Sequence, residues 1–283
     1  MKLSVITINY NNCEGLRKTI ESVVNQTWRD FEYIVIDGGS TDGSVEVIKE
    51  YADHIDYWVS EPDKGIYNAL NKGVAVAKGE YCNFMNSGDC FYAPDTLQKL
   101  FTQQPTADIV CGNTFLTNGE LKKAQTEISM AWLFANSICH QSAFIRTTLM
   151  QQYGYDERCR IVADRKFFVQ ALVQANCSYE AVDVAVVSYD VTGLSAQNPE
   201  RSRLEYARVL EELIPERIRV DYAKQQRGAL HRDTAYDRLF AELRNRRYAR
   251  IVYRFTHLFL RMCSLFKPSA KFVKSFPKSM TED

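Results

Sequence analysis

A chain of 283 residues, 46% apolar and 25% charged, has room for one large soluble domain and an appendage. No run of about 18 apolar residues exists to span a bilayer. The eight cysteines form no Cys-x-x-Cys pair, which excludes a zinc knuckle and a thioredoxin-type site, and several read as small core residues.

The first predicted strand starts almost at Met1. Leu3-Ser4-Val5-Ile6-Thr7-Ile8 ends in Asn9-Tyr10-Asn11-Asn12, and a helical pattern follows through Leu16, Ile20, Val23 and Val24. Phe31 to Ile36 is a second apolar strand that stops at Asp37. Gly38 and Gly39 then make a tight turn before a helix over Ser44–Tyr51, with Asp42 its expected N-cap. Asp56–Ser60 is a short third strand leading into Glu61-Pro62-Asp63-Lys64-Gly65. The next helix carries Ile66, Ala69, Leu70, Val74 and Ala77 on one face. Strand and helix alternating at this spacing predict βαβ units and a parallel sheet. No Gly-x-Gly-x-x-Gly follows the first strand, so the dinucleotide fingerprint is absent.

The most informative stretch is Gly79 to Asp89, where an apolar run ending at Phe84 and Met85 turns into Asn86-Ser87-Gly88-Asp89. Ligands of open α/β sheets bind outside the carboxyl ends of the strands, and this is the third polar strand end in the same register. Further on, a helix closes over Leu97–Phe101, a strand spans Ile109–Phe115, and Asn118-Gly119 is a hairpin turn. Met130–Phe134 carries Trp132, a ring that either packs in the core, the commoner case, or stacks on a sugar. Tyr179–Tyr189 is a late strand, and from Pro199 the pattern is helical, with breaks near Pro215 and Gly228.

Several of these segments together resemble the family-2 glycosyltransferases. They are Ser4 to Asn11, Gln26-Thr27, Val35 to Gly43, Asn71-Lys72-Gly73, Ala77 to Tyr81 and Asn86 to Asp89, in one consistent order over the first two thirds of the chain. The resemblance implies an α/β protein of GT-A type: a Rossmann-like, mostly parallel central sheet with flanking helices. It implies a glycosyltransferase domain over residues 1–195 and fades beyond, where the residue pattern itself predicts a helical extension over 196–283 with a basic amphipathic helix. The expected activity is sugar transfer with inversion from a nucleotide-sugar donor, UDP-linked by preference, to a hydroxyl of a lipid-linked or surface polysaccharide. A catalytically silent relative that binds a nucleotide sugar or a partner transferase is the alternative.

By the same resemblance Thr7, Asn9 and Asp37 hold the base and ribose, and Asp63 and Lys72 flank that crevice. Asp89 is the metal candidate for Mg²⁺ or Mn²⁺, with His140, in Cys139-His140-Gln141-Ser142, near the diphosphate. Asp164, within Arg160 to Phe168, matches the family carboxylate that removes the acceptor proton, as an inverting displacement requires. Two departures stand out. Gly88 occupies the place of a second metal-site acid, with Asn86 where the first commonly stands, and Gly38 occupies the place of an acid that accepts from uracil.

Charge is segregated along the chain. Ten basic residues and no acid lie between Arg244 and Met280, leaving Met1–Leu243 with 25 basic and 33 acidic residues. Tyr248, Ile251, Val252, Phe255, Leu258, Phe259, Met262, Leu265 and Phe266 form one helical stripe, flanked by Arg247, Arg250, Arg254 and Arg261. A basic stripe of this kind predicts a helix lying on an anionic membrane surface. Packing on the catalytic domain or in a homodimer is the other reading, and no nucleic-acid motif is present. With a strand from Lys2 leaving no signal peptide, the expected location is cytoplasmic, peripheral on the membrane.

Overall fold

The computed structural model describes residues 1–189 and 198–223. Its first compact unit is Met1–Glu216. Of the second, Arg217–Asp283, residues 217–223 are described, so the basic stripe and the break near Gly228 lie outside the described residues.

The chain opens with β1 (Leu3–Asn9), α1 (Cys13–Val24), β2 (Phe31–Asp37), α2 (Ser44–Glu50), β3 (Tyr57–Ser60), α3 (Ile66–Val76) and β4 (Tyr81–Phe84). These four strands pair in parallel in the order β3-β2-β1-β4. Alternation explains how one sheet carries two covered faces. Leu3, Val5, Tyr33 and Val35 point into a core with α1 and α2, whereas Ile6, Ile8, Ile34 and Ile36 point into a core with α3. Every residue of β1 is therefore buried.

The rest of the sheet is mixed. β5 (Cys90–Phe91), α4 (Thr96–Phe101), β6 (Ile109–Leu116), β7 (Leu121–Lys122), α5 (Met130–Ala135), β8 (Ala143–Arg146), α6 (Thr147–Tyr153), α7 (Ala163–Val169), β9 (Tyr179–Tyr189) and α8 (Pro199–Leu213) follow in turn. The full order is β3-β2-β1-β4-β8-β6-β9-β5, with β7 on β6. β8 enters antiparallel between β4 and β6, while β6 and β9 are parallel. The parallel arrangement thus holds for the first four strands, and half of all pairings are antiparallel.

The hairpin at Asn118-Gly119 joins β6 to β7, with Gly119 at φ 92°. Asp42, the expected cap, sits one residue before the observed one. Gly43 holds the N-cap position, and the Asp42 carboxylate accepts from Ser44 N (3.1 Å) and Cys13 N (2.8 Å), tying α2 to α1. Cys82 and Cys111 are buried, and burial pushes their thiols up to about 12 and about 11. The core does not stop at the boundary expected near residue 195, because Tyr206, Val209 and Leu210 of α8 and Ile214 bury among the side chains of α7.

Candidate functional site

The order of strand addition reverses at β1, which pairs in parallel with β2 on one side and β4 on the other. A cleft of about 1600 Å³ opens at the carboxyl ends of these strands. One arm is lined by Asn9, Tyr10, Gly38 and Asp63, and its floor by Asn86, Ser87 and Asp89. The other arm runs past His140 and Asp164 to Trp132, Asn136 and Arg165.

Thr7 and Asp37 lie beneath the first arm. Thr7 is fully buried, and its hydroxyl accepts from Tyr33 OH at 3.0 Å. Asp37 is fully buried too. Its carboxylate accepts from Asn9 Nδ2 (2.8 Å), Ser40 N (2.9 Å), Ser40 Oγ (2.6 Å), Ser60 Oγ (2.6 Å) and Gly39 N (3.2 Å). Burial alone would raise this carboxyl, but the hydrogen bonds from Ser40, Ser60 and Asn9 outweigh it and hold it below its ordinary value. Asp37 builds the loop and Asn9 carries its effect to the cleft.

Asp63 faces that loop. A Cβ at Gly38 would fall 3.1 Å from Asp63 Oδ2, so the Asp63 carboxylate adjoins the space of a side chain at position 38. Lys72 holds the other oxygen at 2.6 Å and Glu61 at 2.8 Å, one positive charge shared between two acids at the rim. Burial would lower the Lys72 ammonium, and these two carboxylates raise it instead.

Gly88 explains itself by geometry. Its φ is 105°, and its N–H donates to Thr19 Oγ1 (2.9 Å) and Gly15 O (3.2 Å). An aspartate would be strained in this left-handed turn. Asp89, which follows it, is 6% exposed and accepts from Gln141 Nε2 at 3.0 Å.

His140 and Asp164 meet across the cleft. His140 Nδ1 lies 3.4 Å from Asp164 Oδ2, and its Nε2 lies 3.2 Å from Asn86 Nδ2. A proton on Nδ1 directed at the carboxylate leaves Nε2 to accept from the Asn86 amide, so the network sets the tautomer. Asp164 is in the first turn of α7, and Tyr67 OH on α3 lies 3.2 Å from its Oδ1 and donates to Ile161 O at 2.6 Å. Burial, then the neighbouring Asp164 charge, raises the Tyr67 phenol well above its ordinary value, keeping it a donor. Asp164 is thus oriented from both oxygens while its side chain stays 16% exposed.

Two site residues carry little signal in the sequence. Tyr67 falls on the inner, apolar face of α3, and Gln141 shows only as the neighbour of His140.

A half-parallel sheet with a polar cleft at its switch point and an oriented carboxylate across it is the frame of an α/β group-transfer enzyme. The chain belongs to glycosyl transferase family 2: that family's model matches residues 4–173. It is a glycosyltransferase, as are its relatives. An uncharacterized glycosyltransferase of Mycobacterium tuberculosis is 32% identical over 203 residues, 69% of this chain and 77% of that one. A PGL/p-HBAD biosynthesis glycosyltransferase of Mycobacterium bovis is 28% identical over 197 residues, 67% and 77% of the two chains. Among solved structures, S. aureus TarS residues 1–349 in complex with UDP-GlcNAc matches with a TM-score of 0.60 at 20% identity, over 75% of this chain and 66% of that one. The mannosyltransferase PcManGT from Pyrobaculum calidifontis, with GDP-Man and Mn²⁺, matches with a TM-score of 0.57 at 18% identity, over 77% and 64%. The longer TarS chain is spanned over only 40% of its length. These likenesses give the GT-A type of fold. No helix among the described residues is long and apolar enough to cross a membrane.

Proposed function

We propose that the protein is an inverting transferase that moves a sugar from a nucleotide donor, UDP-linked by preference, to a hydroxyl of a lipid-linked or surface polysaccharide, with Asp164 as the general base. One observation carries this reading: the Asp164 carboxylate lines the cleft opposite the strand ends, oriented by His140 at 3.4 Å and Tyr67 at 3.2 Å. Inversion needs a base on the face opposite the leaving group, and the acceptor hydroxyl would give its proton to Asp164 as its oxygen attacks the anomeric carbon. The first arm would hold the nucleotide, with Asn9 near the ribose and Asp63 Oδ2, beside Gly38, accepting from the base.

TarS, solved in complex with UDP-GlcNAc, and the mycobacterial relative named for PGL/p-HBAD biosynthesis support a nucleotide-sugar donor and a biosynthetic transfer. The donor set is also compatible with Mg²⁺ or Mn²⁺. Asp89 supplies a carboxylate, and Asn86 Oδ1 is buried without a hydrogen-bond partner. A hard cation of this kind uses few protein oxygens and completes its shell with phosphate and water. When bound, it would offset charge on the leaving diphosphate. Among the described residues no group of three or more His, Cys, Asp or Glu could hold a metal ion, so most ligands would come from the donor. His140 has partners on both ring nitrogens, so it acts on Asp164 rather than joining Asp89 at the cation.

The test combines a nucleotide-sugar panel, read by thermal stabilisation with Mn²⁺ and with chelator, and turnover of the stabilising donor. Asp164→Asn should keep donor affinity while transfer falls about 10²-fold or more, the usual worth of general base catalysis. A variant with near-normal turnover removes Asp164 from the role. A wild-type protein that binds donor and never consumes it is the silent relative instead, the reading that the lost acid at Gly88 favours.

A further inference from the structure

Five partly or fully buried cations among the described residues hold carboxylates. Lys2 has Glu80 at 2.6 Å, Arg17 has Glu50 at 2.6 Å, Lys72 has Asp63 at 2.6 Å, and Lys166 has Glu212 at 2.6 Å. Arg146 likewise pairs with Glu80. Arg165 is half-buried on α7 beside Asp164 and has no carboxylate within 4 Å among the described residues. Its guanidinium carbon lies 3.4 Å from the centroid of the Tyr206 ring, and one terminal nitrogen donates to Asn136 O at 3.2 Å. Its Nε is buried with no hydrogen-bond partner.

We propose that this arm of the cleft is a subsite for an oxyanion and that Arg165 sets its specificity, so the acceptor carries a phosphate or carboxylate near the hydroxyl that receives the sugar. The inference rests on the reading of Asp164 as the base, which makes its side of the cleft the acceptor side. Three features support it. The stacked ring and the Asn136 carbonyl fix the guanidinium plane in advance, and a planar fork of donors matches phosphate and carboxylate. Burial lowers the Arg165 pKa from the ordinary guanidinium value, Tyr206 and the Asp164 charge offset only part of it, and no carboxylate among the described residues lies within 4 Å. The cleft as a whole is lined by the cations Lys64, Lys122, Lys123, Arg160 and Arg165 against the acids Asp63, Asp89 and Asp164. Among the described residues, Lys123 has only the exposed Asp183, 4.0 Å away.

Calorimetry on the full chain reads this directly, with the nucleotide arm filled by UDP, or by GDP where UDP does not bind. The probes are glucose 6-phosphate, glucuronate and glucose. At least one charged probe should bind about tenfold tighter than glucose, the scale of a charge-assisted bidentate contact. A preference for glucose 6-phosphate identifies a phosphate acceptor and a preference for glucuronate a carboxylate one. Arg165→Gln should erase the preference and Arg165→Lys should keep part of it. Equal binding of all three probes, no binding of any, or an unchanged preference in folded Arg165→Gln overturns the subsite. If Arg165 only clamps α8 through Tyr206, melting temperature falls in Arg165→Gln while the preference stays. Asp164→Asn separates the two proposals: normal turnover there removes the base and leaves the anion preference intact.

Discussion

At the scale of single residues, Asp37 shows how a position on the nucleotide side can act without touching a ligand. Its carboxylate accepts from five donors and sits below its ordinary value of 3.8 because those bonds outweigh its burial. A depressed folded-state pKa stabilises the fold above the unfolded value, and that contribution is lost as pH falls through the folded value. Asp37→Asn would turn an amide NH₂ toward at least one N–H or O–H donor. It should cost about 1–3 kcal/mol at neutral pH, the penalty for a buried group left without its partner. The gap between wild type and variant should shrink as pH drops below 3.8, because the unfolded wild-type chain then takes up a proton that the folded carboxylate accepts only at lower pH. Denaturant unfolding at several pH values measures this, and a pH-independent gap would show that geometry, not charge, carries the effect. The sequence made Asp37 visible as a strand end followed by two glycines, but which donors it meets depended on Ser40 and Ser60 arriving from two separate segments.

At the scale of elements, legibility followed length and period. β9 is found over Tyr179–Tyr189, the span expected of the late strand, and α3 carries its buried face on Ala69, Leu70 and Val74. β5 and β7 have two residues each, too few for any period, and β8 has four. The antiparallel entry of β8 between β4 and β6 is a long-range pairing that no local pattern encodes. The same limit applies to α8, where the family resemblance fades while the core continues. Glu205 accepts from Arg160 N (2.6 Å) and Ile161 N (2.8 Å), and Tyr206 OH donates to Leu133 O (2.6 Å). Lys166, 3% exposed, joins Asp156 at 2.7 Å and Glu212 at 2.6 Å. α8 therefore braces the segment that leads into Asp164. Burying Tyr206, Val209, Leu210 and Ile214 contributes roughly 1.5–3 kcal/mol each, together comparable with the whole stability of a domain. A chain ended after Ser195 should fail to fold cooperatively, and one ended after Ala223 should keep the thermal transition and donor binding of the compact unit. Calorimetric scans of the two truncations decide it: a cooperative transition in the shorter chain would show that α8 is dispensable.

At the scale of the whole molecule, charge is distributed to do two things at once. Residues 1–243 are acidic by eight and residues 244–280 basic by ten, so an anionic surface repels the first part and attracts the second. If the acceptor is lipid-linked, as proposed, that asymmetry would bring the enzyme to its substrate through the tail alone. Each Arg or Lys near an anionic leaflet contributes about 1 kcal/mol, and the attraction is screened over about 8 Å at physiological salt. Replacing Arg247, Arg250, Arg254 and Arg261 with Gln should therefore weaken binding to phosphatidylserine vesicles by about a thousandfold at low salt, leaving the apolar stripe in place. Wild-type binding should fall steeply as salt rises, and binding to neutral phosphatidylcholine vesicles should stay weak in both proteins. In turnover assays the variant should slow on a lipid-linked acceptor and keep its rate on a soluble analogue, because the cleft residues are untouched. Vesicle co-sedimentation and sedimentation velocity together separate the two readings of the stripe. A full-length protein that ignores anionic vesicles at low salt yet sediments as a dimer uses Phe255, Phe259 and Phe266 to pack against a second copy, and the membrane reading then falls.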